Sequence, residues 1–179
     1  MVIVLMGVSG AGKTTVGTRL ADALGWDFAD ADTFHPEVNV EKMKRGEPLT
    51  DADRWPWLHS IRDFIEKRLA EGEPAVVTCS ALKADYRDVL LDGLNDVCLT
   101  YLRGSQERIR DRLQKRTDHF FDAELLESQF ETLEEPSPEE TLIVDIDASP
   151  DAIVETIRQA LPGCLRTSGH QSPEHQFPE

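Results

Sequence analysis

A chain of 179 residues with 40% hydrophobic content can bury one good core and hardly a second, so a single domain is expected. Thirty-four acidic residues against 19 basic ones leave a formal charge of −15, which argues against nucleic acid and membrane partners and requires any anionic ligand to find locally concentrated Lys and Arg. The three cysteines, Cys79, Cys98 and Cys164, are an odd number without metal-ligand spacing, and no signal peptide or long apolar span is visible, a pattern that reads as a soluble, reduced, cytoplasmic protein.

Residues 2–6, V-I-V-L-M, form an unbroken apolar run, as in a parallel strand buried on both faces. Residues 7–14 then read G-V-S-G-A-G-K-T, a full match to the phosphate-binding pattern G-x-x-x-x-G-K-[ST], so a nucleotide is the expected ligand. The glycines let backbone N–H groups converge on phosphate oxygens, Lys13 meets the β/γ charge and the Thr14 hydroxyl reaches Mg²⁺. Gly7, Val8, Ser9, Gly10, Ala11, Gly12, Lys13, Thr14 and Thr15 are therefore the expected cofactor-binding residues. Val16, Leu20, Ala23 and Leu24 recur at helical spacing behind the loop, with Gly25 as a stop.

A second strand is expected over 26–31, followed by a loop-rich stretch to residue 53. Asp30 and Asp32 fall at that strand end, where a parallel sheet opens its ligand cleft, so one carboxylate suits Mg²⁺ and the other a substrate hydroxyl. Trp57, Leu58, Ile61, Phe64, Ile65 and Leu69 mark a long amphipathic helix that Gly72 and Pro74 break, and Trp55 and Trp57 read as packing residues. Strands over 75–79 and 97–102 flank a helix over 84–91, and the alternation implies a parallel sheet. Ser105 caps a charged helix to residue 116, and a second helix over 123–135 follows a break at 118–122, an insertion suited to a lid. Six of the 19 Lys and Arg residues lie between Arg103 and Arg116, and Arg108, Arg112 and Arg116 stack at intervals of four, which favours an anionic ligand there. Residues 142–146 supply a fifth strand. Ser149-Pro150 opens a last helix ending near residue 161, and 163–179, without apolar periodicity, reads as a disordered tail.

The stretch 30–58, D-A-D-T-F-H-P-E-V-N-V-E-K-M-K-R-G-E-P-L-T-D-A-D-R-W-P-W-L, closely resembles the gluconokinase family, relatives of shikimate and adenylate kinases. The likeness continues through C-S-A-L-K-A-D-Y-R at 79–87, H-F-F at 119–121 and Q-F-E-T-L-E-E-P at 129–136, covering most of residues 1–162. It implies a three-layer α/β P-loop kinase fold, with a five-stranded parallel sheet flanked by helices and a helical lid over about 105–135, and transfer of the ATP γ-phosphoryl to D-gluconate.

A sugar acid carries one carboxylate and several hydroxyls, so Arg54, Lys83 and Arg87 become candidates for its carboxylate and Asp32 and His35 for hydroxyls. By the same resemblance Arg112 and Arg116 clamp the phosphoryl in transit, the segment 147–150 lies by the adenine, and the chain forms a homodimer. One departure stands out: gluconokinases commonly place Lys or Arg then Gly before H-F, where this chain has Thr117-Asp118. A related kinase with another acceptor stays open on these residues. A GTP switch is disfavoured by the lack of N-K-x-D or T-K-x-D, and a silent nucleotide-binding regulator by the acceptor carboxylates and lid arginines.

Overall fold

The computed structural model describes residues 1–115 and 123–164. Five strands, β1 (Val2–Met6), β2 (Asp27–Asp30), β3 (Ala75–Thr78), β4 (Val97–Arg103) and β5 (Leu142–Asp145), form one sheet in the order β2-β3-β1-β4-β5. Every pairing is parallel, with Val2 aligned to Ala75 on one side and to Val97 on the other. The central β1 therefore has neighbours on both edges and both faces, and all five of its residues are 0% exposed.

Successive side chains of β1 alternate between two cores. Ile3 and Leu5 join Val76, Cys98 and the apolar faces of α1 (Lys13–Leu24) and α7 (Pro150–Cys164). Val2, Val4 and Met6 join Val77, Leu99 and the inner faces of α3 (Asp51–Glu71) and α4 (Ala84–Leu91). Two helical layers thus enclose the sheet, and the expectation of a three-layer α/β fold with a five-stranded parallel sheet holds. Between β4 and β5 the chain adds α5 (Gln106–Gln114) and α6 (Ala123–Thr132), which pack on each other.

Three features differ from the sequence expectation. The stretch before residue 53 is largely helical, with a 3-10 turn at Ala31–Phe34 and α2 at Glu37–Lys44. The long helix α3 starts at Asp51 because Thr50 and Asp53 cap each other: Thr50 Oγ1 accepts from the Asp53 N–H at 3.3 Å, and Asp53 Oδ2 accepts from the Thr50 N–H at 2.9 Å. Second, α7 runs past residue 161 to Cys164. Third, Cys98 on β4 and Cys164 are joined in a disulfide with a Cα–Cα distance of 5.7 Å, so the expectation of three reduced thiols is corrected. Pairing between residues 66 positions apart depends on their spatial approach, which cysteine spacing does not report. Cys79 remains free and buried, and burial pushes its thiol up to about 12. No helix among the described residues is long and apolar enough to cross a membrane.

Candidate active site

The turn from β1 into α1 builds the phosphate end of the site. Gly12, at φ +96°, is the N-cap of α1 in the left-handed region, where a side chain would be strained. The N–H groups of Lys13, Thr14 and Thr15 in the first helical turn have no intrahelical acceptor. That turn holds no acidic residue and its cap makes no side-chain hydrogen bond, so its positive dipole end is left for an anion. A β-carbon on Gly10 would lie 2.8 Å from Leu113 Cγ and 2.9 Å from Ile109 Cγ2, so glycine here lets α5 press directly on the loop.

Lys13 Nζ donates to the Val8 carbonyl at 3.1 Å, which folds the ammonium back across the loop. Burial lowers its pKa below the ordinary lysine value, and the carboxylates of Asp32 and Asp30 oppose that shift. The Thr14 hydroxyl donates to Asp30 Oδ2 at 3.1 Å. Asp30 is itself fixed at the end of β2, its Oδ1 accepting the Asp32 N–H at 3.2 Å and its carbonyl accepting from Thr33 Oγ1 at 2.7 Å. A hydroxyl beside a carboxylate is a donor set that suits Mg²⁺, which keeps several waters and takes one or two protein oxygens alongside substrate phosphates.

Asp32 stands in the 3-10 turn, where its charge acts on both Lys13 and His35. His35 stacks on Trp57 with ring centroids 4.4 Å apart and planes within 10°, and Trp57 Nε1 donates to the Ala31 carbonyl at 2.7 Å. Trp57 thus joins the core to the 3-10 turn, beyond its expected packing role. His35 Nδ1 is buried and has no hydrogen-bond partner among the described residues. Burial and the nearby Arg54 lower the His35 pKa, while Asp32 opposes them.

Arg54 and Lys83 meet at one carboxylate that sequence reasoning did not single out. Asp51 accepts from Lys83 Nζ at 2.7 Å, from the Tyr86 hydroxyl at 2.5 Å and from Arg54 Nη1 at 3.4 Å. These contacts hold the Asp51 carboxyl below the usual carboxylate range. Arg87 does not join them. Its Nη1 donates to the Ala81 and Leu82 carbonyls, each at 3.2 Å, and so steadies the turn after β3, where Ala81 adopts φ +45°.

Three arginines of the basic stretch have partners within the chain. Arg103 forms a two-pronged pair with Asp145 at 2.7 and 3.0 Å, Arg108 lies 3.2 Å from Asp147, and Arg112 donates to the Ile146 carbonyl. Two carboxylates and a carbonyl at the end of β5 thus hold Arg103, Arg108 and Arg112 in this structure. Arg116 and the segment 119–121 lie outside the described residues, as does the tail from 165 onward. Gln129 on α6, which the sequence reading placed in the family likeness without a role, reaches the loop at Ser9.

A family model described as "AAA domain" matches residues 2–136. A gluconokinase from Gluconobacter oxydans is 47% identical over 156 residues, which span 87% of this chain and 88% of that one. This chain belongs to the gluconokinase family. A solved gluconokinase from Sinorhizobium meliloti 1021 superposes with a TM-score of 0.77 at 45% identity, covering 93% of this chain and 92% of that one. The unliganded structure of a sugar kinase from Janibacter sp. HTCC2649 gives a TM-score of 0.82 at 43% identity, over 94% and 98% of the two chains. Gluconokinase relatives thus span both the phosphate loop and the segment that carries Asp32, His35, Asp51 and Arg54, and are not confined to the nucleotide end.

Proposed function

We propose that this enzyme transfers the γ-phosphoryl group of ATP to a hydroxyl of D-gluconate, giving 6-phospho-D-gluconate and ADP. The observation that carries this reading is the placing of Asp32 beside the phosphate loop, at the end of β2 next to Asp30 and Thr14, close enough for its carboxylate to act on the Lys13 ammonium. Phosphoryl transfer asks for that juxtaposition, since its catalysis is mostly positioning and charge stabilisation.

In the proposed mechanism the loop N–H groups from Val8 to Thr15, apart from that of Ser9, which donates to Gln129, cradle the phosphates, and Lys13 spans the β and γ positions. Thr14 and Asp30, directly or through water, would hold Mg²⁺, which would offset the phosphate charge. His35, Arg54 and Lys83 orient the sugar acid, the last two by taking its carboxylate in exchange for part of their hold on Asp51. Asp32 aligns the acceptor hydroxyl and takes its proton as the new O–P bond forms and the bond to the β-phosphate oxygen breaks. Arg112, on leaving the Ile146 carbonyl, and Arg116 stabilise the charge in transit. Arg87 supports the pocket wall through the turn after β3. We place the enzyme in the cytoplasm as a homodimer.

The test is product chemistry. Full-length protein with Mg-ATP and D-gluconate is expected to yield a new phosphomonoester resonance in ³¹P NMR with one ADP formed per product. ATP consumption without that resonance contradicts the assignment.

A further inference from the structure

The inner face of α6 carries one polar side chain among apolar ones. Leu126 is 1% exposed and Phe130 packs against the same core, while Gln129, between them on the helix, meets the phosphate loop. Its Oε1 accepts the Ser9 N–H at 2.6 Å and its Nε2 donates to Ser9 Oγ at 3.1 Å. A carboxamide is suited to this task because it gives and accepts at once, so the N–H and the hydroxyl of Ser9 are met by one side chain. Ser9 sits in the glycine-rich turn between Gly7 and Gly10, a backbone that has few restraints of its own.

Just beyond α6 the chain is pinned again. The Glu134 N–H donates to the Leu82 carbonyl at 2.9 Å, Glu134 Oε2 accepts the Ala84 N–H at 2.7 Å, and Glu135 Oε1 accepts from the Tyr101 hydroxyl at 3.2 Å. The second half of the insertion is thereby fixed to the turn after β3 and to β4, which gives Gln129 a rigid base from which to hold the loop.

We propose that Gln129 is a positioning residue for nucleotide: it latches α6 to Ser9 and so sets the curl in which the loop N–H groups converge on phosphate. Gln129 acts through the loop backbone and touches no reacting atom. The proposal rests on the loop as the ATP site and is independent of the acceptor's identity.

A double-mutant cycle on the full chain tests it, with a non-hydrolysable ATP analogue and Mg²⁺ in calorimetric titrations. Q129A is expected to raise the analogue Kd and the KM for ATP together by about 5- to 30-fold, the range that loss of one or two such hydrogen bonds spans. The KM for the acceptor is expected to move less than about twofold. S9A, which keeps the Ser9 N–H bond to Oε1, is expected to cost less than about threefold, and S9A/Q129A no more than Q129A alone. A wild-type analogue Kd in Q129A, or fully additive penalties in the double variant, overturns the latch. Equal rises in both KM values with a fallen melting temperature overturn it too, since they mark general loss of structure. The titration needs no acceptor, so a failure of the gluconate assignment shows separately, as absent turnover in the wild type.

Discussion

Asp32 is the residue on which the proposed chemistry turns, because it alone adds an acceptor-side carboxylate to the charge around Lys13 without being tied to Thr14. Asp32→Asn keeps the shape and removes the proton acceptor, so kcat is expected to fall by about 10²- to 10⁴-fold while the ATP-analogue Kd stays within twofold. Turnover near wild type in that variant removes Asp32 from the role. His35 invites a different test. Its folded pKa lies below the ordinary 6.5, chiefly through burial, so over the window between the two values the unfolded chain binds more protons than the folded one. Stability from this residue is complete above about pH 6.5 and declines as the pH falls toward the lower folded value. His35→Phe keeps a ring against Trp57 without a titrating group, and is expected to show a shallower decline in melting temperature from pH 7 to 5. An unchanged slope contradicts that assignment.

At the scale of elements, the acceptor segment is held by the cap that starts α3. Lys42 Nζ on α2 donates to Asp53 Oδ1 at 2.6 Å and the buried Asn39 donates to the Asp53 carbonyl at 2.7 Å, so α2 docks on the same first turn. The Lys42 bond, with the Thr50 contacts, holds the Asp53 carboxyl far below the usual carboxylate range. Thr50→Ala is expected to cost about 1 kcal/mol, a fall of about 2–4 °C in melting temperature by calorimetry, and an unshifted transition contradicts the cap's role. This cap also shows why α2 escaped the sequence reading. It uses Asp where the common capping box has Glu or Gln, and α2 itself has no apolar stripe, its position coming from polar groups that reach across to α3. The phosphate loop, by contrast, was readable because each of its tasks falls on neighbouring residues. Asp51, Tyr86 and Gln129 were not, since their contacts join residues 32 to 120 positions apart.

For the whole molecule, the alternation of strands and helices and the layering were legible because buried parallel strands and amphipathic helices each leave a local pattern in the sequence, as 2–6 and 57–69 do; the strand order was not, since it depends on contacts between distant segments. The Cys98–Cys164 disulfide leaves none. It links the start of β4 to the end of α7, at the opposite end of the sheet from the β-strand termini that carry the site. Cys164→Ser, or reductant, is expected to lower stability by about 2–4 kcal/mol in denaturant titrations while leaving kcat/KM within twofold. Equal stability of the oxidised and reduced protein contradicts a structural role for the bridge. The account as a whole depends on the nucleotide and acceptor ends serving one reaction. The most direct measurement is ADP release by the full-length protein with Mg-ATP across D-gluconate, other sugar acids, shikimate and nucleoside monophosphates. The expected result is turnover with D-gluconate at a kcat/KM at least tenfold above every other acceptor; comparable or higher turnover with another acceptor, or none with gluconate, contradicts it.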